Sequence, residues 1–286
     1  MRNDENEAAE LLDALVAKIE DSSKAIELDP ENPEGYIARA DIHNSIKNYQ
    51  LAIDDYSTAI ELRVEKSSYY ISRGKLYNSI KNYHEAINDF SKAIELEPED
   101  ASYYASRAIT YRSIENFQEA IKDYFKAIEL EPKNSYLYAA RAHIHNSMQN
   151  YHEAIADSSK AIGLQPKVLS FYLARGEFYR TIENYQEAID DFSKAIELRP
   201  EGPFYYLARG KFYHSIESHI DAIDDFSKAI ELDPENPEGY IIRADIHKAM
   251  QNYQLAIEDY SKAIELDPED QKVHLLQADL YKDLAL

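Results

Sequence analysis

Three observations predict an all-α fold of stacked helix pairs. The string AIEL-x-P, or a close relative, begins at Ala25, Ala59, Ala93, Ala127, Ala161, Ala195, Ala229 and Ala263, always 34 residues apart. Inside that period small and large residues alternate three or four positions apart, the spacing of one helix face. No insertion breaks the register across seven full repeats: 33–66, 67–100, 101–134, 135–168, 169–202, 203–236 and 237–270.

The elements follow in chain order. Segment 5–32 reads as an N-terminal helix that ends like the second helix of a repeat but lacks the aromatic pattern. Each repeat, numbered locally 1 to 34, divides into helices A and B. Helix A opens on Asn32-Pro33 or Asn236-Pro237, an N-cap followed by proline at the first helical position. Asp100 and Asn134 take the capping role elsewhere. Helix B starts after Asn48, Asn82, Asn116, Asn150, Asn184 and Asn252, and several of these continue as Asn-x-x-Glu, as in Asn82 to Glu85, which predicts a capping box. Helix B ends near the proline at position 32. Segment 271–286 reads as a lone helix A that caps the array. Its close, Leu284-Ala285-Leu286, either covers the last repeat, marks a cut chain or joins a second copy.

The packing positions are legible. Position 8 is Ala or Gly throughout, and positions 20 and 27 are Ala in all seven repeats. Rings at positions 4, 11, 17 and 24 fill the space that these small residues leave between close helices. Most of the 24 tyrosines are thereby assigned to the core. Repeat 4 departs, with Ser158 at position 24 and Gly163 in helix B, as either a softer joint or a tolerated irregularity.

Composition excludes several functions. Cysteine and tryptophan are absent, which removes disulfides, thiolate metal sites and cysteine nucleophiles. The 53 acidic and 31 basic residues leave a formal charge of −22, a field that opposes nucleic acid and anionic membranes. No apolar run is long enough to cross a bilayer, and the opening MRNDENEAAE is unlike a secretory leader. His143 and His145 point to different faces, and His43, His145 and His247 share position 11 with tyrosines, so no metal site is expected. No phosphate loop, nucleophile elbow or His-Glu-x-x-His string occurs. Neither an enzymatic activity nor a cofactor is expected. The compartment stays open, with the cytoplasm slightly favoured.

This pattern resembles the tetratricopeptide repeat, two antiparallel helices per repeat, over 33–270. The resemblance implies one right-handed superhelical solenoid domain across 1–286. Arginine stands at position 7, where the family often has leucine, and Asn usually replaces the glycine-containing turn. Arg39, Arg73, Arg107, Arg141, Arg175, Arg209 and Arg243 recur together with Asp55, Asp89, Asp123, Asp157, Asp191, Asp225 and Asp259 at position 23. A ladder of ion pairs is expected from that joint recurrence, serving helix orientation more than stability.

In the resembled family the A helices line a concave groove that takes peptides, with positions 2, 5, 9, 12 and 13 facing inward. Carried onto this chain, the groove residues are Lys75, Ile109, Arg112, Tyr136, His143, Leu173, Arg180, Phe204, Leu207 and Lys211. A subfamily that clamps carboxylate tails uses lysine at position 5 and asparagine or arginine at position 9; here position 5 is always apolar. The expected function is a protein-interaction scaffold whose aromatic and aliphatic anchors hold a partner segment while the bases reach its acidic groups. The alternative is a structural solenoid joined end to end through its C-terminal end.

Overall fold

The computed structural model describes residues 2–284, with the side chains of residues 14–282 and 284. Met1, Ala285 and Leu286 lie outside the described residues, as does most of the expected contact at the C-terminal tip. The described chain is all α-helix and turn. Its helices are α1 (Arg2–Leu28), α2 (Pro33–Ser45), α3 (Tyr49–Leu62), α4 (Ser67–Ser79), α5 (Tyr83–Leu96), α6 (Ala101–Ser113), α7 (Phe117–Leu130) and α8 (Ser135–Ser147). They continue as α9 (Tyr151–Leu164), α10 (Leu169–Thr181), α11 (Tyr185–Leu198), α12 (Pro203–Ser215), α13 (His219–Leu232), α14 (Pro237–Ala249), α15 (Tyr253–Leu266) and α16 (Gln271–Leu284). Two compact units form, 1–148 and 149–286, and the boundary falls in the repeat that carries Ser158 in place of a ring.

In the first unit the antiparallel pairs α2–α3, α4–α5 and α6–α7 stack in order, with α1 against α2 and α8 against α7. In the second unit α10–α11, α12–α13 and α14–α15 stack likewise, with α9 before and α16 after them.

Helix A is capped as its sequence predicts. Asn32, Asp100, Asn134 and Asn236 each accept from the backbone N–H two residues on, at 2.8–3.2 Å. Helix B is not. The asparagines before it occupy the N-cap position but make no side-chain cap bond, so the expected capping box does not form. The physical reason lies one residue upstream. Helix A ends on a residue in the left-handed region: Lys47, Lys81, Glu115, Gln149, Glu183, Glu217 or Gln251, at φ 58 to 63°. That conformation closes a Schellman turn, in which the asparagine N–H donates back to the carbonyl of position 11, as in Asn82 to Tyr77 at 2.8 Å. The donor that a capping-box glutamate needs is already taken. The glycine-like role therefore falls on position 15, not on the asparagine.

The core is built on positions 8, 20, 24 and 27. Rings at position 24 are fully buried from Tyr56 to Tyr260. They obey a strict pairing with position 8. Ala40, Ala108 and Ala244 face Tyr56, Tyr124 and Tyr260, whereas Gly74, Gly176 and Gly210 face Phe90, Phe192 and Phe226. A Cβ on Gly74 would lie 2.8 Å from Phe90 Cε1, so the phenylalanine ring takes the space that alanine would fill. The position-11 tyrosines are only partly buried, although His43 and His247 there are buried, and the position-17 rings are partly buried or, at Tyr185, exposed, a correction to the expectation that both positions fill the core. Two packing positions went unforeseen. Position 10 is buried in Leu76, Thr110, Ile144, Phe178, Phe212 and Ile246, and position 3 in Tyr69, Tyr103, Leu137 and Phe171. Both join one repeat to the next.

The position-7 arginines make a recurrent three-point contact. Arg107 Nε and Nη2 donate to Asp123 Oδ2 and Oδ1 at 2.8 and 2.7 Å, and Nη1 donates to Ser91 Oγ of the preceding repeat at 2.9 Å. Ser91 passes its own proton to the Ile87 carbonyl. The same fork holds Arg39 on Asp55, Arg73 on Asp89, Arg175 on Asp191, Arg209 on Asp225 and Arg243 on Asp259. The two partners' pKa values pull in opposite senses. Hydrogen bonding to the carboxylate raises Arg107, Arg175, Arg209 and Arg243, while burial raises Asp89, Asp191 and Asp225. The fork decides between them, because two parallel N–H donors need an ionised carboxylate.

Two predictions arise here. Gly163 is exposed within α9, and a Cβ there meets nothing within 4 Å. Gly163→Ala is expected to raise stability by about 0.5–1 kcal/mol, read as a higher denaturant midpoint at unchanged slope. The second concerns alkaline pH. Burial first, and then hydrogen bonds to Asp41 and Asp245, push the Tyr56 and Tyr260 phenols above their ordinary value of 10.0. A group whose folded pKa is raised contributes its full stability below the unfolded value and loses it as pH climbs toward the folded one. Urea midpoints should therefore begin to fall above pH 10, and a midpoint flat through that range would contradict it.

Candidate functional site

On helix A, positions 2, 5, 9 and 12 share one stripe. The structure divides the stripe into an outer set and a floor. Tyr136 and Phe204 at position 2 are 59% and 62% exposed. Lys75, His143 and Lys211 at position 9, and Arg112 and Arg180 at position 12, are also exposed, and Ile109 is 40% exposed. Position 5 sinks inward. Leu207 is buried against Ala222, Phe226, Ala229 and Ile246, and Leu173 packs beside Ala188, Phe192 and Phe212. Position 5 is thus a packing position before it is a contact position.

In the second unit these residues surround a hollow of about 340 Å3. Glu177 and Arg180 of α10 form one wall, and Glu238 of α14 forms the other. Phe204, Leu207, Ala208, Lys211, Phe212 and Ser215 of α12 make the floor and rim. Phe204 stands at the mouth, edge-on to Tyr205 with centroids 5.7 Å apart. Below it, Phe212 packs on Phe192 at 5.5 Å. Both bases of the hollow already hold acids: Arg180 Nε lies 2.7 Å from Glu177, and Lys211 Nζ lies 2.7 Å from Glu238. These pairs are exposed and add little stability, so their partners exchange easily.

In the first unit Lys75 lies on α4, Ile109 and Arg112 on α6, and Tyr136 and His143 on α8. On the same repeat stack Glu34 accepts from Lys66 Nζ and from the Tyr69 hydroxyl, both at 2.7 Å.

Sequence reasoning missed Phe212 as part of the site, whereas Glu177 at position 9 and Glu238 at position 2 lie on the stripe it assigned to the groove. The signal for Phe212 was the large apolar residue at position 10 in every repeat but the third, which has Thr110. The arrangement suits an apolar or aromatic side chain seated on a preformed floor, with exchangeable charge at its edge. Among the described residues no group of three or more His, Asp or Glu could hold a metal ion, and no helix is long and apolar enough to cross a membrane.

Comparison with known proteins places this geometry. Models described as tetratricopeptide repeat match 67–100, 101–134 and 237–270, and 33–63, 135–168, 169–201 and 205–236. No curated protein matches the sequence. Among solved structures, a tetratricopeptide repeat protein from Parabacteroides merdae is 18% identical with a TM-score of 0.62, covering 87% of this chain and 98% of its own. MamA is 23% identical at 0.56, covering 60% and 94%. YrrB, described as having an unusual peptide-binding site, is 22% identical at 0.54, covering 66% and 97%. At these identities the likeness is one of fold.

Proposed function

Because the chain belongs to the tetratricopeptide repeat family, we propose that it is a protein-interaction scaffold and that the A-helix face of each unit seats a segment of another protein. The observation that carries this reading is the hollow between α10, α12 and α14, where exposed Phe204 stands over buried Leu207 and Phe212. Aromatic and arginine side chains over a packed floor are the composition of interface hot spots. The partner's anchor is an apolar or aromatic side chain. Its acidic groups would displace Glu177 from Arg180 and Glu238 from Lys211. Arg112, beside His143, would serve the first unit in the same way.

The test is selection of ligands from a displayed peptide library, followed by titration of each with variants. Phe204→Ser and the reversals Arg112→Glu and Arg180→Glu touch exposed side chains, so thermal stability should be unchanged. Affinity for selected peptides should fall about tenfold or more. Peptides that bind all three variants as tightly as the parent would place the contact elsewhere.

A second reading, association of copies through α16, is favoured by the exposure of Leu275, Tyr281 and Leu284 on that helix. Mass in solution decides it, since a concentration-independent monomer rules it out.

A further inference from the structure

A second hollow, of about 380 Å3, opens in the first unit between α1, α2 and α3. It lies on Arg39 and Asp55, away from the position 2, 9 and 12 stripe. Ile19 and Ser23 of α1, His43 of α2, and Leu51 and Asp54 of α3 line it.

The sister repeats show what belongs there. In repeats 2, 3, 5 and 6 position 11 is Tyr77, Tyr111, Tyr179 or Tyr213, and each ring lies 5.7–5.9 Å from the guanidinium of its own position-7 arginine. In repeat 1 position 11 is His43, a smaller ring, and Arg39 meets Tyr36 of position 4 instead, at 5.9 Å. The Arg39 side chain is 25% exposed, against 19–21% for Arg73, Arg107, Arg175, Arg209 and Arg243. A second change accompanies the first. Position 19, an acid in repeats 2 to 6, is Leu51, which is 45% exposed and supplies an apolar wall. The two changes occur together again in repeat 7, as His247 and Leu255.

The surrounding charge is negative. Asp54 is exposed at the edge of the hollow. The Tyr77 phenol of repeat 2, raised first by burial, is also raised by the Asp54 carboxylate. A chain of formal charge −22 adds to that field. The floor favours a π-face over the guanidinium, and the rim favours cations.

We infer that this hollow is a docking site for one tyrosine side chain carried by a basic segment of a partner protein. The partner supplies in trans the ring that four sister repeats supply from their own chain. The ring lies on Arg39 between Ile19 and Leu51, and a flanking lysine or arginine approaches Asp54.

The probes are two end-blocked peptides, Lys-Tyr-Lys and Lys-Ala-Lys, titrated into the full chain while the Leu51 methyl and His43 ring resonances are followed by NMR. The tyrosine peptide should shift both sets saturably and bind about tenfold more tightly than the alanine peptide, with affinity falling as salt rises. His43→Tyr fills the hollow with the ring that the sister repeats carry, so it should abolish the Leu51 shifts while the melting temperature holds or rises. Leu51→Ser, an exposed change that leaves folding untouched, should weaken the tyrosine peptide. Equal affinity for the two peptides would overturn the inference, as would Leu51 shifts that persist in His43→Tyr. Tyrosine-peptide shifts confined to Phe204 in the other hollow would overturn it too, while leaving the scaffold reading in place.

Discussion

Arg107→Ala is expected to destabilise the first unit by about 3–5 kcal/mol, because it strands the buried Asp123 carboxylate without its two donors. It also leaves Ser91 of the preceding repeat without the bond that links the two repeats through Arg107. The double variant Arg107→Leu/Asp123→Leu removes both charges and should recover most of the loss, since a buried ion pair contributes little beyond an apolar pair of like volume. Chemical denaturation of Arg107→Leu, Asp123→Leu and the double variant closes the cycle. A single variant costing under about 1 kcal/mol would show that the fork is solvated and incidental.

Phe90→Ala is expected to cost about 3–5 kcal/mol, the loss of a fully buried ring plus the cavity that remains. The ring's fit can be tested from the other side. Gly74→Ala improves helix propensity by about 0.5–1 kcal/mol, yet its Cβ would meet Phe90 Cε1 at 2.8 Å. Overpacking should win, for a net cost of about 1–3 kcal/mol. Gly176→Ala meets Phe192 at 3.3 Å and should cost less. Calorimetric melting of the three variants gives the ranking, and equal costs for the two glycine changes would refute steric control.

The Arg–Asp partners and the helix boundaries could be read from the chain because recurrence at a fixed period reports shared environment. Seven arginines and seven aspartates sixteen residues apart cannot face unrelated neighbours. The capping box was misread because Asn-x-x-Glu is a local signature, and the Schellman turn at position 15 had already taken its donor. Leu207 was read as a contact residue because position 5 lies on the groove stripe. Packing against Ile246 of the next repeat makes it floor instead. The pair of Arg180 with Glu177 is three residues apart and legible. The bond from Lys211 to Glu238 spans 27 residues and exists only once α12 and α14 lie side by side.

The chain alone therefore determines the repeat, its two helices and the residues that hold each pair together, because those depend on spacing within a few turns of helix. Which groove residues stand free, which become floor, and where a missing ring leaves a hollow are settled by the stacking of one repeat on another. Stacking sets burial, and burial decides whether a side chain serves the fold or remains available to a partner.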